Sequence, residues 1–208
     1  VLDDPLCPVV PEVKKKLAET IDALRKAGVT VEEGWPEGIR PEEQYATYAY
    51  LLLASYIQEQ PEEVLAQMRE AATSDAADLL TIRAKAWSDT HRGFDRARRE
   101  QLIHRGMWRE WFKTAFTTAF EHVQSEPLEL RTIQTSLGTR AYTDLLFYIS
   151  FATVTGNPAT VAPVGLAGGK LPVGIQIMGP YMEDGTSIAF AGLLADILGG
   201  FAIPPGYE

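Results

Sequence analysis

The chain has 208 residues, of which 46% are hydrophobic and 23% charged, with a formal net charge of −9. These values are typical of an ordinary globular protein and exclude collagen-like, disordered and disulfide-scaffold classes. The negative charge argues against a nucleic-acid partner, because binding to a phosphate backbone depends on lysine and arginine. Cys7 is the only cysteine, so neither an internal disulfide nor a cysteine-based zinc site can form.

The N-terminal sequence VLDDPLCPVV has no basic region followed by an apolar stretch, so it does not resemble a signal peptide. No apolar run approaches the ~18 residues of a membrane span. We therefore expect a cytoplasmic protein with no membrane partner and no cofactor. The chain lacks an initiator Met, which suggests that a further segment precedes it.

The residue pattern changes at about residue 124. Residues 1–124 indicate a mainly helical segment with one early strand, and residues 125–208 a sheet-forming segment with a closing helix. Together they predict one incomplete α/β domain. NPATVAPVG and LPVGIQIMGP each predict a short buried strand, the second covered on both faces, with a hairpin turn at Gly168 and Gly169.

The first helix is predicted to begin at Pro11 and end at Gly28, with an apolar stripe of Val13, Leu17, Ile21 and Leu24. VTVEEG, residues 29–34, predicts the early strand. The other predicted helices are Tyr45 to Gln60, Pro61 toward Ala71, one capped by Ser74 or Asp75 through Ala86, Thr90 to Phe120, Tyr142 to Thr153, and a last one capped by Asp184 or Thr186 and stopped by Gly199 and Gly200.

One stretch of this acidic chain is basic. Residues 92–113 carry seven Lys or Arg against three Asp or Glu. We interpret the stretch as a solvated helix face rather than a binding patch, with Trp108 and Trp111 as core anchors.

The motifs predict no catalytic and no metal-ligating residue. None of the seven serines lies in a G-x-S-x-G or Gly-Ser-rich loop. GLAGGK is followed by Leu-Pro rather than Ser or Thr, so it is not a P-loop. Cys7 indicates a buried structural thiol, and His91 with Asp95 has helical metal-pair spacing but no third ligand. A small unfamiliar enzyme using Cys7 or a His/Asp pair stays a minor alternative.

The C-terminal run resembles the closing segment of the amidase signature enzymes. FATVTGNPATVAPVG is similar to the family phrase T-x-T-G-x-P-A-x-x-x-P at Thr153, Thr155, Gly156, Pro158, Ala159 and Pro163. KLPVGIQIMG is similar to G-L-P-x-G-x-Q-I-x-G at Leu171, Pro172, Gly174, Gln176, Ile177 and Gly179. LRKAGVTVEE resembles the family's L-x-x-x-G-x-x-V-E-E unit, so the resemblance spans nearly the whole chain.

The resemblance implies hydrolysis of a carbon–nitrogen amide bond by a Ser-Ser-Lys triad with backbone oxyanion donors. None of the three residues can be placed on this sequence, so we expect the C-terminal portion of an amidase, with the triad upstream. The implied fold is the C-terminal part of a mixed β-sheet flanked by helices. The implied partner is a small-molecule amide, bound together with the missing N-terminal half. Candidate substrate-binding residues are Thr155, Gly156, Asn157 and Gln176, although a structural role also explains them.

Two further expectations follow. Family members usually carry a strand D-x-L-L-x-P-x-x-P where this chain reads KTAFTTAFEHVQSEP, so either the protein lacks that strand or the segment was lost. If a half is missing, the runs at Val161–Val164 and Val173–Ile177 should stay exposed and the chain should self-associate. The alternative function is a non-catalytic binding or scaffold module derived from the amidase fold.

Overall fold

The structure, a computed structural model, describes residues 3–56, 60–89, 93–111 and 131–203. Within these ranges the chain forms seven α-helices and four β-strands. The helices are α1 (Pro11–Lys26), α2 (Pro41–Tyr56), α3 (Glu62–Ala72), α4 (Leu79–Ser88), α5 (Phe94–Trp111), α6 (Leu146–Thr155) and α7 (Asp184–Leu198). The strands are β1 (Thr132–Thr135), β2 (Gly138–Ala141), β3 (Ala159–Ala167) and β4 (Leu171–Met178), and a 3-10 helix (Tyr142–Leu145) leads into α6.

Helices α2 to α6 pack around an aromatic core. Helix α4 lies against α2 and α3, while α2 and α5 lie against α6. The Trp35 ring centroid is 4.4 Å from that of Phe151, and the buried Trp108 donates its indole N–H to Gln44 Oε1 at 3.0 Å. The prediction of Trp108 as a core anchor is therefore confirmed.

The second core lies between the β3–β4 hairpin and helices α1 and α7. The two strands are antiparallel, and both helices contact the same face, where they also touch each other. The apolar stripe predicted for α1 is confirmed at Leu17, Ile21 and Leu24, which are buried here. The predicted turn at Gly168 and Gly169 is confirmed, with φ of +56° and +72°.

The α/β class is confirmed, but the described strands form two separate antiparallel pairs, β1–β2 and β3–β4, rather than one mixed sheet. The prediction of a strand covered on both faces is wrong for β4. Residues alternate in burial along an antiparallel strand that packs on one side only.

This one-sided packing also corrects the predicted exposure of the two strands. Ile175 and Ile177 are 1% and 0% exposed, because α1 and α7 of the same chain cover them. The open face is instead marked by Val161 and Leu166, which are 71% and 50% exposed.

The early strand predicted at residues 29–34 is wrong, since these residues form no regular structure. Val29 donates its N–H to Leu24 O at 3.0 Å, and Gly28, at φ +87°, donates to Arg25 O. These two bonds close the end of α1, as a Schellman turn does. Val29 and Val31 pack as loop residues against the α1 core.

Two predicted helix caps are also wrong. Helix α4 is capped by Asp78, which accepts from the Thr81 N–H at 2.8 Å, and not by Ser74 or Asp75. Helix α7 begins at Asp184 without a side-chain cap. Its predicted stop is confirmed, because Gly199 and Gly200 have φ of +90° and +64°.

Some predictions fall outside the described residues. They include His91, the end of the long helix predicted to Phe120, and the interval that replaces the family's D-x-L-L-x-P-x-x-P strand. Within the part of the chain that is described, no helix has the length and apolarity of a membrane span.

Candidate functional site

A cavity of about 570 Å³ lies where α6 turns into β3. We call it the turn cavity. It is open to solvent, and its wall combines the end of α6, the start of β3, one residue of β4 and the loop before α7. The described lining residues are Ala152, Thr153, Gly156, Asn157, Pro158, Ala159, Gln176, Tyr181, Met182 and Asp184.

Gly156 makes the sharp turn at this wall. Its φ is +68°, in the left-handed region where a residue without a Cβ is favoured. The N–H groups of Gly156 and Asn157 both donate to Ala152 O, at 2.8 and 3.2 Å, and so close the last turn of α6. The predicted helix–turn–strand is confirmed.

Asn157 clamps the start of β3 to the end of β4. Its Nδ2 donates to Gly179 O at 3.0 Å, and Gly179 in turn donates its N–H to Pro158 O at 2.8 Å. Because a carbonyl oxygen can only accept, the amide orientation of Asn157 is fixed. The side chain is 6% exposed, and its Oδ1 is enclosed without a partner among the described residues.

Gln176 projects from the open face of β4, between the buried Ile175 and Ile177. It is half-buried, and its side chain makes no hydrogen bond to any described residue. A free carboxamide offers one acceptor oxygen and two donor hydrogens to whatever enters the cavity.

Thr155 lies beneath the cavity rather than in its wall. Its side chain is 0% exposed, and its hydroxyl donates to Phe151 O at 2.6 Å inside α6. The structure thus brings together three of the four predicted site residues and gives the Thr155 side chain no open surface.

Sequence reasoning missed two residues beside the cavity. Arg105 of α5 donates its Nε–H to Thr155 O, and its guanidinium carbon is 4.7 Å from the centre of the Tyr181 ring. The available signal was the basic stretch at residues 92–113, whose interpretation as a solvated face does not hold for Arg105. Met182, next to Tyr181, is 78% exposed on the rim and has φ of +67°, a strained value for a side chain of this kind.

A second concavity, the N-terminal groove, has a volume of about 490 Å³. It lies between residues 7–17, the β1–β2 hairpin, the start of α6 and the tip of β3–β4. Most of its lining is aliphatic, and its polar part is the ion pair between Arg140 and Asp144, at 3.2 Å. Arg140 Nη1 also donates to Pro8 O at 2.7 Å.

The electrostatics of this groove do not favour nucleophilic chemistry at Cys7. Burial raises the pKa of the Cys7 thiol to about 11, and the nearby Arg140 only partly opposes this. Burial also raises the pKa of Asp144, again against the effect of Arg140. The Cys7 thiol lies 3.4 Å from Asp144 O, as expected for a structural thiol.

Neither concavity contains the groups of an amide-hydrolysis centre. None of the described lining residues is a lysine. The described residues also hold no group of three or more His, Cys, Asp or Glu side chains that could share a metal ion. What these residues can do is bind and orient a ligand.

Comparison with known proteins places the chain in a family. The family described as Amidase matches residues 1–187, so the chain belongs to the amidase family. It is similar to a glutamyl-tRNA(Gln) amidotransferase subunit from Exiguobacterium sp. (strain ATCC BAA-1283 / AT1b), with 26% identity over 218 residues, 94% of this chain and 44% of that protein.

The fold is similar to a solved structure described as the crystal structure of an amidase, with a TM-score of 0.58 and 21% sequence identity. That alignment covers 91% of this chain and 43% of the solved chain. The chain therefore spans less than half the length of the relatives that it matches.

Proposed function

We propose that this chain is the C-terminal portion of an amidase that hydrolyses a carbon–nitrogen amide bond of a small molecule. In this proposal the turn cavity is a wall of the substrate pocket, and a Ser-Ser-Lys triad outside these 208 residues carries out the chemistry. The observation that carries it is the meeting of two family phrases at one cavity: Gly156 and Asn157 come from the first phrase, and Gln176 from the second.

The roles of the wall residues follow from their contacts. Gly156 shapes the turn, Asn157 locks it to β4, and Gln176 offers hydrogen bonds to the substrate amide. Thr155 supports the turn from below through its hydroxyl. We keep the cytoplasm as the proposed location and a small-molecule amide, not a nucleic acid, as the proposed partner.

The alternative is a scaffold module that has lost catalysis and pairs with another chain. Family membership over residues 1–187 supports the enzyme instead. The half-buried, unpaired Gln176 also supports it, because a purely structural strand gains nothing from an uncommitted carboxamide at a cavity.

Activity separates these hypotheses. We expect the complete protein encoded by the reading frame of this chain to release ammonia from simple aliphatic or aryl amides. We expect no measurable turnover from the 208-residue chain alone, since members of a catalytic triad act as a unit. An inactive complete protein would favour the scaffold. Turnover by the chain alone that Cys7→Ala or His91→Ala abolishes would favour the small-enzyme alternative.

A matched pair of variants tests the pocket wall within the complete protein. Gln176→Leu should raise KM about tenfold or more, because the substrate amide loses hydrogen-bond partners in a partly desolvated site. Gln134→Leu, on the β1–β2 hairpin away from the turn cavity, should leave KM unchanged. Equal KM values for both variants and the wild type would remove Gln176 from the pocket.

A further inference from the structure

The guanidinium of Arg105 is held rigidly against the wall of the turn cavity. Its Nε–H is used by Thr155 O at the end of α6, and its plane lies over the Tyr181 ring. Its Nη2 atom comes within 2.8 Å of the position that a Cβ on residue 156 would occupy. Only a glycine at this turn lets the guanidinium approach so closely.

The end of this side chain is nevertheless available to a ligand. Arg105 is half-buried, and neither of its two terminal nitrogens has a hydrogen-bond partner among the described residues. Neither nitrogen is enclosed by protein, in contrast to Asn157 Oδ1. The other well-placed arginines differ, since Arg96 is paired with Glu100 and Arg140 with Asp144.

We propose that Arg105 binds a carboxylate, so that the turn cavity accepts small amides that also carry a carboxylate group. This inference rests on the proposed function, because it assigns a substrate class to the same pocket. Gln176 takes the amide end of the ligand and Arg105 takes the acid end, with Tyr181 between Arg105 and solvent. Arg105 is thereby a specificity-determining residue and not a catalytic one.

The chemistry of the site selects a carboxylate among anions. A guanidinium presents parallel N–H groups whose spacing matches a carboxylate, and charge-assisted bonds of this kind are about twice as strong as neutral ones. The cavity volume of about 570 Å³ suits a small molecule. Asp184, which shares the lining, is exposed, so solvent screens its repulsion more strongly than it screens the half-buried Arg105.

The test compares acid and neutral ligands of nearly equal shape. Binding of succinamate and of succinamide to the complete protein is measured by calorimetry, and the pair glutaramate and glutaramide extends the comparison by one methylene group. We expect at least one acid to bind about tenfold or more tighter than its neutral diamide. This comparison uses the wild type and so does not depend on the folding of a variant.

Variants then assign the preference to one residue. Arg105→Met should remove the preference for the acid while leaving the affinity for the diamide unchanged, and Arg105→Lys should retain only part of it. Arg96→Met, on the same helix, is the matched control and should change neither affinity. Thermal melting of each variant shows that the fold is retained.

The outcomes separate the two proposals. Equal binding of acid and diamide by the wild type, or an acid preference that survives Arg105→Met, overturns the role of Arg105 and leaves the amide pocket standing. Absence of binding by any of the four probes, together with absence of amide hydrolysis, overturns the pocket itself.

Discussion

Residue 156 is constrained twice at the same atom. The backbone is in the left-handed region, at φ +68°, and the Arg105 guanidinium occupies the space of a Cβ. The first constraint follows from the local turn and was predictable from the Gly-Asn-Pro sequence. The second arises from a helix 50 residues earlier in the chain.

Replacing Gly156 should therefore be costly. We expect Gly156→Val to lower the free energy of unfolding by more than ~1 kcal/mol, because a β-branched residue is strained at positive φ and displaces Arg105. Gly192→Ala in α7 is the control, since its Cβ meets nothing within 4 Å, and it should stabilise by up to ~1 kcal/mol. Urea unfolding measures both, and an unchanged midpoint for Gly156→Val would contradict the interpretation of the turn.

The Cys7 thiol should be inert while the chain is folded. With a pKa of about 11, about one molecule in a thousand carries the thiolate at pH 8, roughly a hundredfold less than for an ordinary thiol. We expect a thiol-specific disulfide reagent to label Cys7 slowly at pH 8 and rapidly in urea. Fast labelling of the folded protein would show that the thiol is exposed or activated.

The same thiol makes a contribution to stability that depends on pH. The folded state keeps the proton between the ordinary pKa of 9.0 and about 11, so the unfolded state releases it first. Stability should fall as pH rises through this window, and less steeply in Cys7→Ala than in the wild type.

At the scale of elements, helix α4 shows how local and tertiary information divide. The Ser74-Asp75 pair and Asp78 are all residues that favour an N-cap. Ser74 bonds only the N–H of Ala76, in a turn before the helix, whereas Asp78 accepts from both the N–H and the hydroxyl of Thr81. The packing of Leu79 into the aromatic core sets where the helix begins.

The two candidate caps give a direct test. Asp78→Ala should lower the free energy of unfolding by about 1 kcal/mol, since the N-terminal N–H groups of α4 lose their acceptor. Ser74→Ala should change it by less than about 0.5 kcal/mol, as exposed substitutions usually do. Chemical unfolding of the two variants compares them, and the reverse order would place the cap at Ser74.

At the scale of the whole molecule, the β3–β4 hairpin has one covered and one open face. Helices α1 and α7 bury Ile175 and Ile177, while Val161 and Leu166 point away from them. Within the described ranges β3 and β4 pair only with each other, so each strand keeps one unpaired edge. Such edges and apolar faces favour association between chains.

We therefore predict that the 208-residue chain self-associates. Sedimentation velocity should show mass increasing with protein concentration. Val161→Lys should reduce the association, because a charge on the open face opposes pairing of strands. Leu102→Lys, at an exposed site on α5, is the control and should leave it unchanged. A monomer at every concentration would contradict the prediction.

The sequence by itself determined the elements whose signals are local. Pro11 and Gly28 bound α1, Gly168 and Gly169 make the hairpin turn, and the two family phrases identified the amidase family and three residues of the turn cavity. These features depend on backbone conformations that a few neighbouring residues impose.

Only the tertiary structure decided how the faces are covered and which distant groups meet. The run of valines after α1 could have formed a strand, but no described strand offers it a partner. The β4 run could have been covered on both faces, but its two helices pack on the same side. Arg105 could have been one more solvated arginine, since nothing in its own stretch of sequence shows that Thr155 and Tyr181 lie beside it. Contacts between residues far apart in sequence depend on packing geometry, and local propensity does not encode it.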